Sequence, residues 1–303
     1  MSNNLSSQVA NTVNNISSEI SFVECPRDAM QGWPHQIATK TKIAYLNALL
    51  KVGFSVLDCG SFVSAKSIPQ MSDTQEVLRG LDYDLLNSNT TKLLTIVANL
   101  RGAEAASSFT EVSYLGFPFS VSETFQLRNT NSTREQSFER VCQIHELCLI
   151  KNKELVIYLS MGFGNPYGDL FNPEILAYWT EKIAALGIQK ISIADTVGLA
   201  TPQQILTTLE SLTPAFPNVT FGVHLHATKA GSQQKISAAL KAGCRHFEGA
   251  LKGIGGCPMA GDDLVGNMDT ELTIAYLKQE GYLLNYNQAA LKAAAQMTSQ
   301  VFI

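Results

Sequence analysis

Residues 154–195 hold three segments in an order that is typical of a parallel β-sheet: ELVIYLSM at 154–161, PEILAYWTEKIAAL at 173–186 and KISIAD at 190–195. The first and third segments are short and rich in β-branched and aromatic residues, as β-strands are. The middle segment begins with proline and spaces its apolar residues as a helix does. Gly187 follows it, and glycine suits the left-handed conformation that ends many helices. The order predicts one β–α–β unit.

The same alternation extends in both directions along the chain and predicts eight strands. The strands are residues 20–25, 55–60, 92–99, 112–119, 154–161, 190–195, 219–227 and 245–250. The helices predicted between them are residues 39–51, 133–151, 173–186, 202–212 and 231–242, with a short one at 102–107. Two more helices, 270–280 and 288–302, follow the last strand. The second is apolar enough to pack outside the barrel or against a second subunit, and we expect a homodimer.

Eight strands, most of them followed by a helix, predict a single-domain α/β protein, a (β/α)8 TIM barrel. Such a barrel needs about 250 residues, and the 303 residues also hold a polar N-terminal extension (1–18) and the extra C-terminal helices (270–303). A doubly wound sheet is the alternative, and it predicts a glycine-rich phosphate loop after the first strand. That strand is instead followed by PRDAMQ at 26–31, without a glycine before Gly32.

Composition and charge limit the partners and the compartment. The net charge is −4 and the isoelectric point about 5.8, which argues against nucleic acid or an anionic membrane as a main partner. No apolar run approaches the roughly 20 residues that a membrane span needs. Residues 1–18 lack the apolar core and the arginine of targeting segments. The six cysteines show no CxxC spacing and are typical of reduced thiols, so we expect a cytoplasmic location.

Polar residues lie at the predicted C-terminal ends of the strands, where the active site of a TIM barrel is found. Arg27 and Asp28 follow the first strand, and Asp195 ends the sixth. His224 and His226 share one face of the seventh strand, because alternate residues of a strand point to the same side.

The loop after the eighth strand, residues 252–261, contains four glycines and Cys257, and it is a candidate mobile lid. A thiol that closes over a metal site is placed for acid or base work. Asn267 follows, and its amide oxygen could reach a metal. With Asp28, His224 and His226 it forms an oxygen and imidazole donor set, which favours Mg²⁺ or Mn²⁺, while Zn²⁺ is the alternative.

Together these motifs resemble the 3-hydroxy-3-methylglutaryl-CoA lyase family of metal-dependent TIM-barrel lyases, over about residues 21–271. The segments that carry the resemblance are CPRD at 25–28, SFVSAK at 61–66 with PQM at 69–71, DTVG at 195–198, HLH at 224–226, and GGCP at 255–258 with Gly266 and Asn267.

The resemblance implies retro-Claisen cleavage of hydroxymethylglutaryl-CoA to acetyl-CoA and acetoacetate. Asp28, His224, His226 and Asn267 would hold a metal that acidifies the tertiary hydroxyl of the substrate. Arg27 would stabilise the thioester enolate, His224 would also shuttle a proton, and Cys257 would act once the lid closes. Lys66, Arg101 and Lys252 are candidate partners for the phosphates of CoA.

Three positions depart from the family pattern. Asp58 stands where the family usually has glutamate, so its reach toward Arg27 is shorter by one methylene. Ala227 replaces an aspartate that could accept a hydrogen bond from the metal site. The lid carries an extra residue within 260–263.

Two other enzyme classes and one non-enzyme are compatible with the same motifs. A Claisen-type synthase of the isopropylmalate, homocitrate or citramalate group would use the same metal set in the reverse direction, but such synthases normally carry further C-terminal domains. A 4-hydroxy-2-oxo acid aldolase would need no CoA. A barrel that only binds a ligand would not need Arg27, Asp28, His224, His226 and Cys257 together.

Overall fold

The computed structural model describes residues 19–256 and 265–303, in which eight parallel strands close into a barrel in sequence order. The strands are β1 (Ser21–Glu24), β2 (Val56–Ser61), β3 (Lys92–Ile96), β4 (Val112–Ser120), β5 (Glu154–Ser160), β6 (Lys190–Asp195), β7 (Thr220–Leu225) and β8 (His246–Gly249). β1 pairs with β8 from Ser21 opposite His246 to Glu24 opposite Gly249, and this closes the barrel. The TIM-barrel prediction is confirmed.

Twelve α-helices lie within the described ranges, and every predicted helix is among them. They are α1 (Pro26–Gln31), α2 (Thr39–Leu50), α3 (Thr74–Arg79), α4 (Tyr83–Ser88), α5 (Leu100–Ser107), α6 (Glu123–Thr130), α7 (Arg134–Lys151), α8 (Pro173–Ala185), α9 (Pro202–Ala215), α10 (Lys229–Lys241), α11 (Thr270–Gln279) and α12 (Gln288–Val301). The sequence did not predict α1, α3, α4 or α6. Each spans only six to eight residues, too few for a helical period to stand out.

Local sequence signals set the helix ends. Thr201 caps α9, accepting from the backbone N–H of Gln204, and Pro202 occupies the first turn. Gly187 follows α8 with a φ of +89°, in the left-handed region that was predicted for it. None of the described helices is long and apolar enough to cross a membrane.

The predicted site residues meet at one end of the barrel, next to its interior. A small cluster of Leu94, Ile96, Val156 and Tyr158 fills it, separate from the larger core between sheet and helices. Outside the barrel, Phe302, which follows α12, packs edge-on against Trp33, with ring centroids 5.2 Å apart. The last helix thus packs outside the barrel, which is one of the two positions that the sequence allowed for it.

Glu24, at the end of β1, is a wholly buried carboxylate. Its Oε1 accepts from the backbone N–H of Leu251 at 2.8 Å, and its Oε2 accepts from the Thr270 hydroxyl at 2.6 Å. Burial raises the pKa of Glu24 from 4.5 to about 8, although both hydrogen bonds oppose the shift. The folded protein therefore holds a proton on Glu24 at pH values where the unfolded chain has released it.

Between pH 5 and 8, Glu24 is expected to make the free energy of unfolding fall as pH rises, because the folded state binds more protons than the unfolded state. Glu24→Gln mimics the protonated form, so it should remove this contribution and leave the variant more stable than wild type at pH 8, by about 1–3 kcal/mol. Urea unfolding of both proteins at pH 5.5 and pH 8 measures the difference. Equal pH dependence in the two proteins would show that Glu24 is ionised in the folded state.

Candidate active site

The predicted metal ligands meet at the C-terminal end of the barrel. Asp28 lies in α1, directly after β1, and His224 lies near the end of β7. His226 follows β7 and forms an isolated antiparallel bridge with Asn267. One candidate ligand atom from each of Asp28, His224 and His226 lies within 4.8 Å of the other two. The two imidazole rings are 5.1 Å apart, so they share one side of the strand, as predicted.

Each histidine is bound through Nδ1, which leaves Nε2 for another partner. His224 Nδ1 lies 2.9 Å from Glu248 Oε2, and His226 Nδ1 lies 3.1 Å from the carbonyl oxygen of Val265. An acceptor at Nδ1 holds the proton there and makes Nε2 the lone-pair donor, the arrangement usual for metal-binding histidines. Burial and the neighbouring His224 lower the pKa of His226, which favours the neutral form that a metal requires. The Val265 carbonyl supplies the acceptor that Ala227 lacks.

Asp28 is an ionised carboxylate within a network of charges. Burial opposes its ionisation, but Arg27 and the two imidazoles outweigh burial and hold the pKa of Asp28 at about 2. Arg27 Nη1 donates to Asp28 Oδ1 at 3.0 Å, and Arg27 Nη2 donates to Asp58 Oδ2 at 2.6 Å. Asp58 thus reaches Arg27 despite its shorter side chain. The guanidinium is held between two carboxylates, beside the histidines.

Asn267 supplies the observation that tests whether these residues fit a metal. Its Nδ2 donates to Asp28 Oδ2 at 2.8 Å and to the carbonyl oxygen of Ile254 at 2.9 Å. Its Oδ1 is buried and has no hydrogen-bond partner among the described residues. An unpartnered buried amide oxygen is costly, and a hard cation bound beside Asp28 would satisfy it. The donor set therefore fits a divalent ion.

A cavity of about 370 Å³ opens over Arg27, Asp28 and both histidines. Tyr158 and Ser160 of β5 line it, and α6 adds four residues that the sequence analysis missed: Phe125, Arg128, Asn129 and Thr130. The Arg128 guanidinium lies 4.7 Å from the centre of the Tyr167 ring. The polar run Arg128-Asn129-Thr130, soon after the end of β4, is the sequence feature that could have indicated these residues.

The sequence predicted that Asp195 belongs to the active site, but its side chain does not line this cavity. Its Oδ2 accepts from Lys235 Nζ at 2.6 Å, and its Oδ1 accepts from the backbone N–H of Ala200 at 3.0 Å. Lys235 also donates to the backbone carbonyl of His226 at 2.8 Å. Both carboxylate oxygens are thus used within the protein. Asp195 supports the backbone at His226 and is not among the residues that line the cavity.

The remaining predicted residues lie away from the cavity or outside the described part of the chain. Lys66 and Arg101 are exposed and are not among the cavity-lining residues. Lys252 forms an ion pair with Glu271 at 2.5 Å. Cys257 and the predicted extra lid residue fall within 257–264, outside the described residues.

Comparison with known proteins identifies the family of the chain. A model of the HMGL-like family matches residues 20–298. A hydroxymethylglutaryl-CoA lyase of Bacillus subtilis is 32% identical over 273 residues, which are 89% of this chain and 89% of that protein. The human mitochondrial hydroxymethylglutaryl-CoA lyase is 31% identical over 278 residues, which are 91% of this chain and 83% of that protein.

Structural comparison finds members of the same family. An HMG-CoA lyase from Acinetobacter baumannii, solved in complex with coenzyme A and 3-methylmalate, matches with a TM-score of 0.87 at 29% identity, over 95% of this chain and 92% of that one. An HMG-CoA lyase from Bacillus subtilis matches with a TM-score of 0.86 at 31% identity, over 93% of each chain. The chain therefore belongs to the HMGL-like family.

Proposed function

We propose that this protein is a metal-dependent carbon–carbon lyase that cleaves 3-hydroxy-3-methylglutaryl-CoA to acetyl-CoA and acetoacetate. The observation that carries the proposal is the convergence of Asp28, His224 and His226 beside Arg27, at the floor of one cavity. The family to which the chain belongs depends on a divalent metal. Relatives at about 31% identity are named hydroxymethylglutaryl-CoA lyases.

Asp28, His224, His226 and Asn267 would hold the ion. A divalent ion, when bound, acidifies a hydroxyl group and polarises a carboxylate that it contacts. The mixed oxygen and imidazole donors favour Mg²⁺ or Mn²⁺ over a structural zinc site, with Zn²⁺ as the alternative. Asn267 contributes its unpartnered Oδ1, and its Nδ2 keeps Asp28 in place.

Arg27 would stabilise the enolate oxygen of the departing thioester, a charge that exists only as the carbon–carbon bond breaks. Asp58 holds the guanidinium through both Nε and Nη2, at 3.0 and 2.6 Å. A fixed guanidinium needs no reorganisation when the charge develops. In this role Asp58 is a positioning residue.

His224 is the candidate for proton transfer. Its Nε2 would be a ligand of the ion and would take the proton of the substrate hydroxyl only while it is not bound to the ion, with Nδ1 on Glu248 in both cases. The carboxylate of Glu248 compensates the positive charge that the imidazole gains on protonation. The ring of Tyr158 packs against the imidazole in a T-shaped arrangement, with ring centroids 5.9 Å apart, and helps to separate it from water.

The acyl-CoA would enter from the side of α6, where Arg128 lines the cavity. A guanidinium suits a phosphate or carboxylate better than an ammonium group does, because its donors form a planar fork. Lys66 and Arg101 are still predicted to contact the phosphates of CoA. The cytoplasmic location, the single domain and the homodimer also remain predictions.

Cys257 is proposed to donate or accept a proton when the lid closes. Cys257→Ser is expected to lower kcat by roughly 10²-fold or more, the scale of general acid–base catalysis, because a hydroxyl is a far weaker acid. The fold and the metal affinity should not change. Iodoacetamide should alkylate Cys257 faster than the other five cysteines, of which Cys25, Cys59, Cys148 and Cys244 are buried. Turnover of Cys257→Ser near that of wild type would remove the thiol from the mechanism.

The direct test is to incubate the purified protein with hydroxymethylglutaryl-CoA and Mg²⁺, Mn²⁺ or Zn²⁺, and to measure acetyl-CoA and acetoacetate. The chelator-treated protein is the control, and it should lose activity that the ion restores. Condensation of acetyl-CoA with a 2-oxo acid would instead indicate a Claisen-type synthase. Release of pyruvate from a 4-hydroxy-2-oxo acid would indicate an aldolase. Metal binding without any of these reactions would contradict an enzymatic function.

A further inference from the structure

Glu248 is a buried carboxylate in the barrel interior that no motif of the sequence singled out. It lies on β8, with a side chain that is 5% exposed. Its Oε2 lies 2.9 Å from His224 Nδ1, and its Oε1 accepts from the Ser192 hydroxyl at 2.6 Å. The Cys25 thiol lies 3.8 Å from Oε2. Residues from three other strands or strand ends therefore contact this carboxylate.

The surroundings of Glu248 make a purely structural role costly. A buried carboxylate destabilises a fold unless a cation or several hydrogen bonds compensate it. In the described ranges no lysine or arginine forms an ion pair with Glu248, and His224 Nδ1 is the one ionisable nitrogen in contact with it. Apolar residues such as Leu94 and Val156 form a buried cluster of their own in the barrel interior. An apolar side chain at position 248 would be the cheaper choice for stability alone.

The two histidines of the site differ in the group that holds them. His226 Nδ1 contacts a neutral backbone carbonyl, whereas His224 Nδ1 contacts the carboxylate of Glu248. A carboxylate is the stronger acceptor, so it fixes the ring more firmly and makes Nε2 a better electron donor to a cation. The hydroxyl of Ser192 occupies the other oxygen of Glu248, which restricts rotation of the carboxylate.

We propose that Glu248 is a positioning residue that holds His224 as the Nδ1–H tautomer and presents a strongly donating Nε2 to the divalent ion, with Ser192 holding Glu248 in turn. The inference rests on the proposed function only in requiring that the site binds a divalent ion. It assigns to the chain a carboxylate–histidine–metal triad that joins β8, β7 and the cavity. His226 has no carboxylate partner at Nδ1, so it does not form such a triad.

The test compares Glu248→Ala and Glu248→Gln with Ser192→Ala as the matched control. Binding of Mn²⁺ to the metal-depleted proteins, followed by electron paramagnetic resonance, should weaken roughly 10–100-fold in Glu248→Ala, the usual loss for such outer partners. Glu248→Gln keeps the volume and one acceptor oxygen but loses the charge, so its loss should be intermediate. Ser192→Ala leaves the contact with His224 intact and should have the smallest effect.

A second measurement separates positioning from general stability. Nitrogen-15 NMR of the histidines in the metal-free protein should show His224 as the Nδ1–H tautomer in wild type and in Ser192→Ala. In Glu248→Ala the Nε2–H tautomer should appear, because nothing then retains the proton at Nδ1. A lowered melting temperature with wild-type Mn²⁺ affinity and an unchanged tautomer would overturn the proposal.

The outcomes also distinguish this inference from the proposed function. A wild-type protein that binds Mn²⁺ but cleaves no hydroxymethylglutaryl-CoA would contradict the proposed reaction and leave the role of Glu248 intact. Since Glu248→Gln is nearly isosteric, it should fold even if Glu248→Ala does not. Mn²⁺ affinity and a His224 tautomer equal to those of wild type in Glu248→Gln and in any folded Glu248→Ala would contradict the role of Glu248.

Discussion

Replacement of Arg27 by glutamine is expected to lower kcat by about 10²–10³-fold or more, the scale of a lost oxyanion donor, with a smaller change in KM. Glutamine retains hydrogen-bonding capacity but carries no charge. The enolate charge exists only in the transition state, so its loss of stabilisation appears in kcat. Steady-state kinetics with hydroxymethylglutaryl-CoA measures both constants. An effect confined to KM would mean that Arg27 only binds the ground-state carboxylate.

The contacts of Arg27 require two controls for this prediction. The guanidinium is buried between Asp28 and Asp58, and removal of one partner from a buried ion pair costs about 3–5 kcal/mol of stability. Burial raises the pKa of Asp58 to about 6, although Arg27 opposes the shift, so Asp58 can take up a proton when the cation is lost. Kinetics should therefore be measured well below the melting temperature. Asp58→Asn is the first control, because it keeps Arg27 but removes the charge of its partner carboxylate.

Metal binding provides the second control. Arg27 Nη1 lies 3.0 Å from Asp28 Oδ1, so its positive charge opposes a cation at the same carboxylate. Arg27→Gln is expected to bind Mn²⁺ at least as tightly as wild type. A kcat loss together with retained or tighter metal binding would separate the transition-state role of Arg27 from damage to the site.

The fold was predictable from the sequence because each strand of the barrel is buried and each long helix is amphipathic. Segments such as 154–161 and 190–195 differ from the structure by at most one residue at either end. The spacing of His224 and His226 also suffices to place both rings on one side of β7, because the period of a strand is two. These features depend on neighbours in the sequence.

The parts that could not be predicted depend on contacts between distant residues. Lys235 lies 40 residues from Asp195, and no local pattern indicates that the two form a buried ion pair. Without that partner, Asp195 at a strand end was indistinguishable from a residue that contacts substrate. Glu248 lies 24 residues from His224, and nothing in the strand segment RHFEGA at 245–250 indicates which of its ionisable residues contacts the site. Which buried charge serves the site is decided by three-dimensional packing.

His226→Ala is expected to weaken Mn²⁺ binding by more than the roughly 10–100-fold that loss of an outer partner costs, because a direct donor is removed. His226 is only 2% exposed, so the truncation also leaves a small cavity and should lower the melting temperature moderately. Its backbone carbonyl, which accepts from Lys235, and its bridge to Asn267 do not depend on the side chain. We therefore expect the barrel to stay folded.

The matched control is His246→Ala, because His246 lies on β8 and pairs with Ser21, at the opposite end of the barrel from His226. It should reduce stability without changing Mn²⁺ affinity. Titration of both metal-depleted variants with Mn²⁺, with circular dichroism as the check on folding, measures the contrast. If His226→Ala binds Mn²⁺ as wild type does, the ion is not held where Asp28 and the two imidazoles converge, and His226 would then act only through its contact with Val265. Equal losses in both variants would instead assign the effect to instability, because only His226 has Asp28 and His224 within ligand distance.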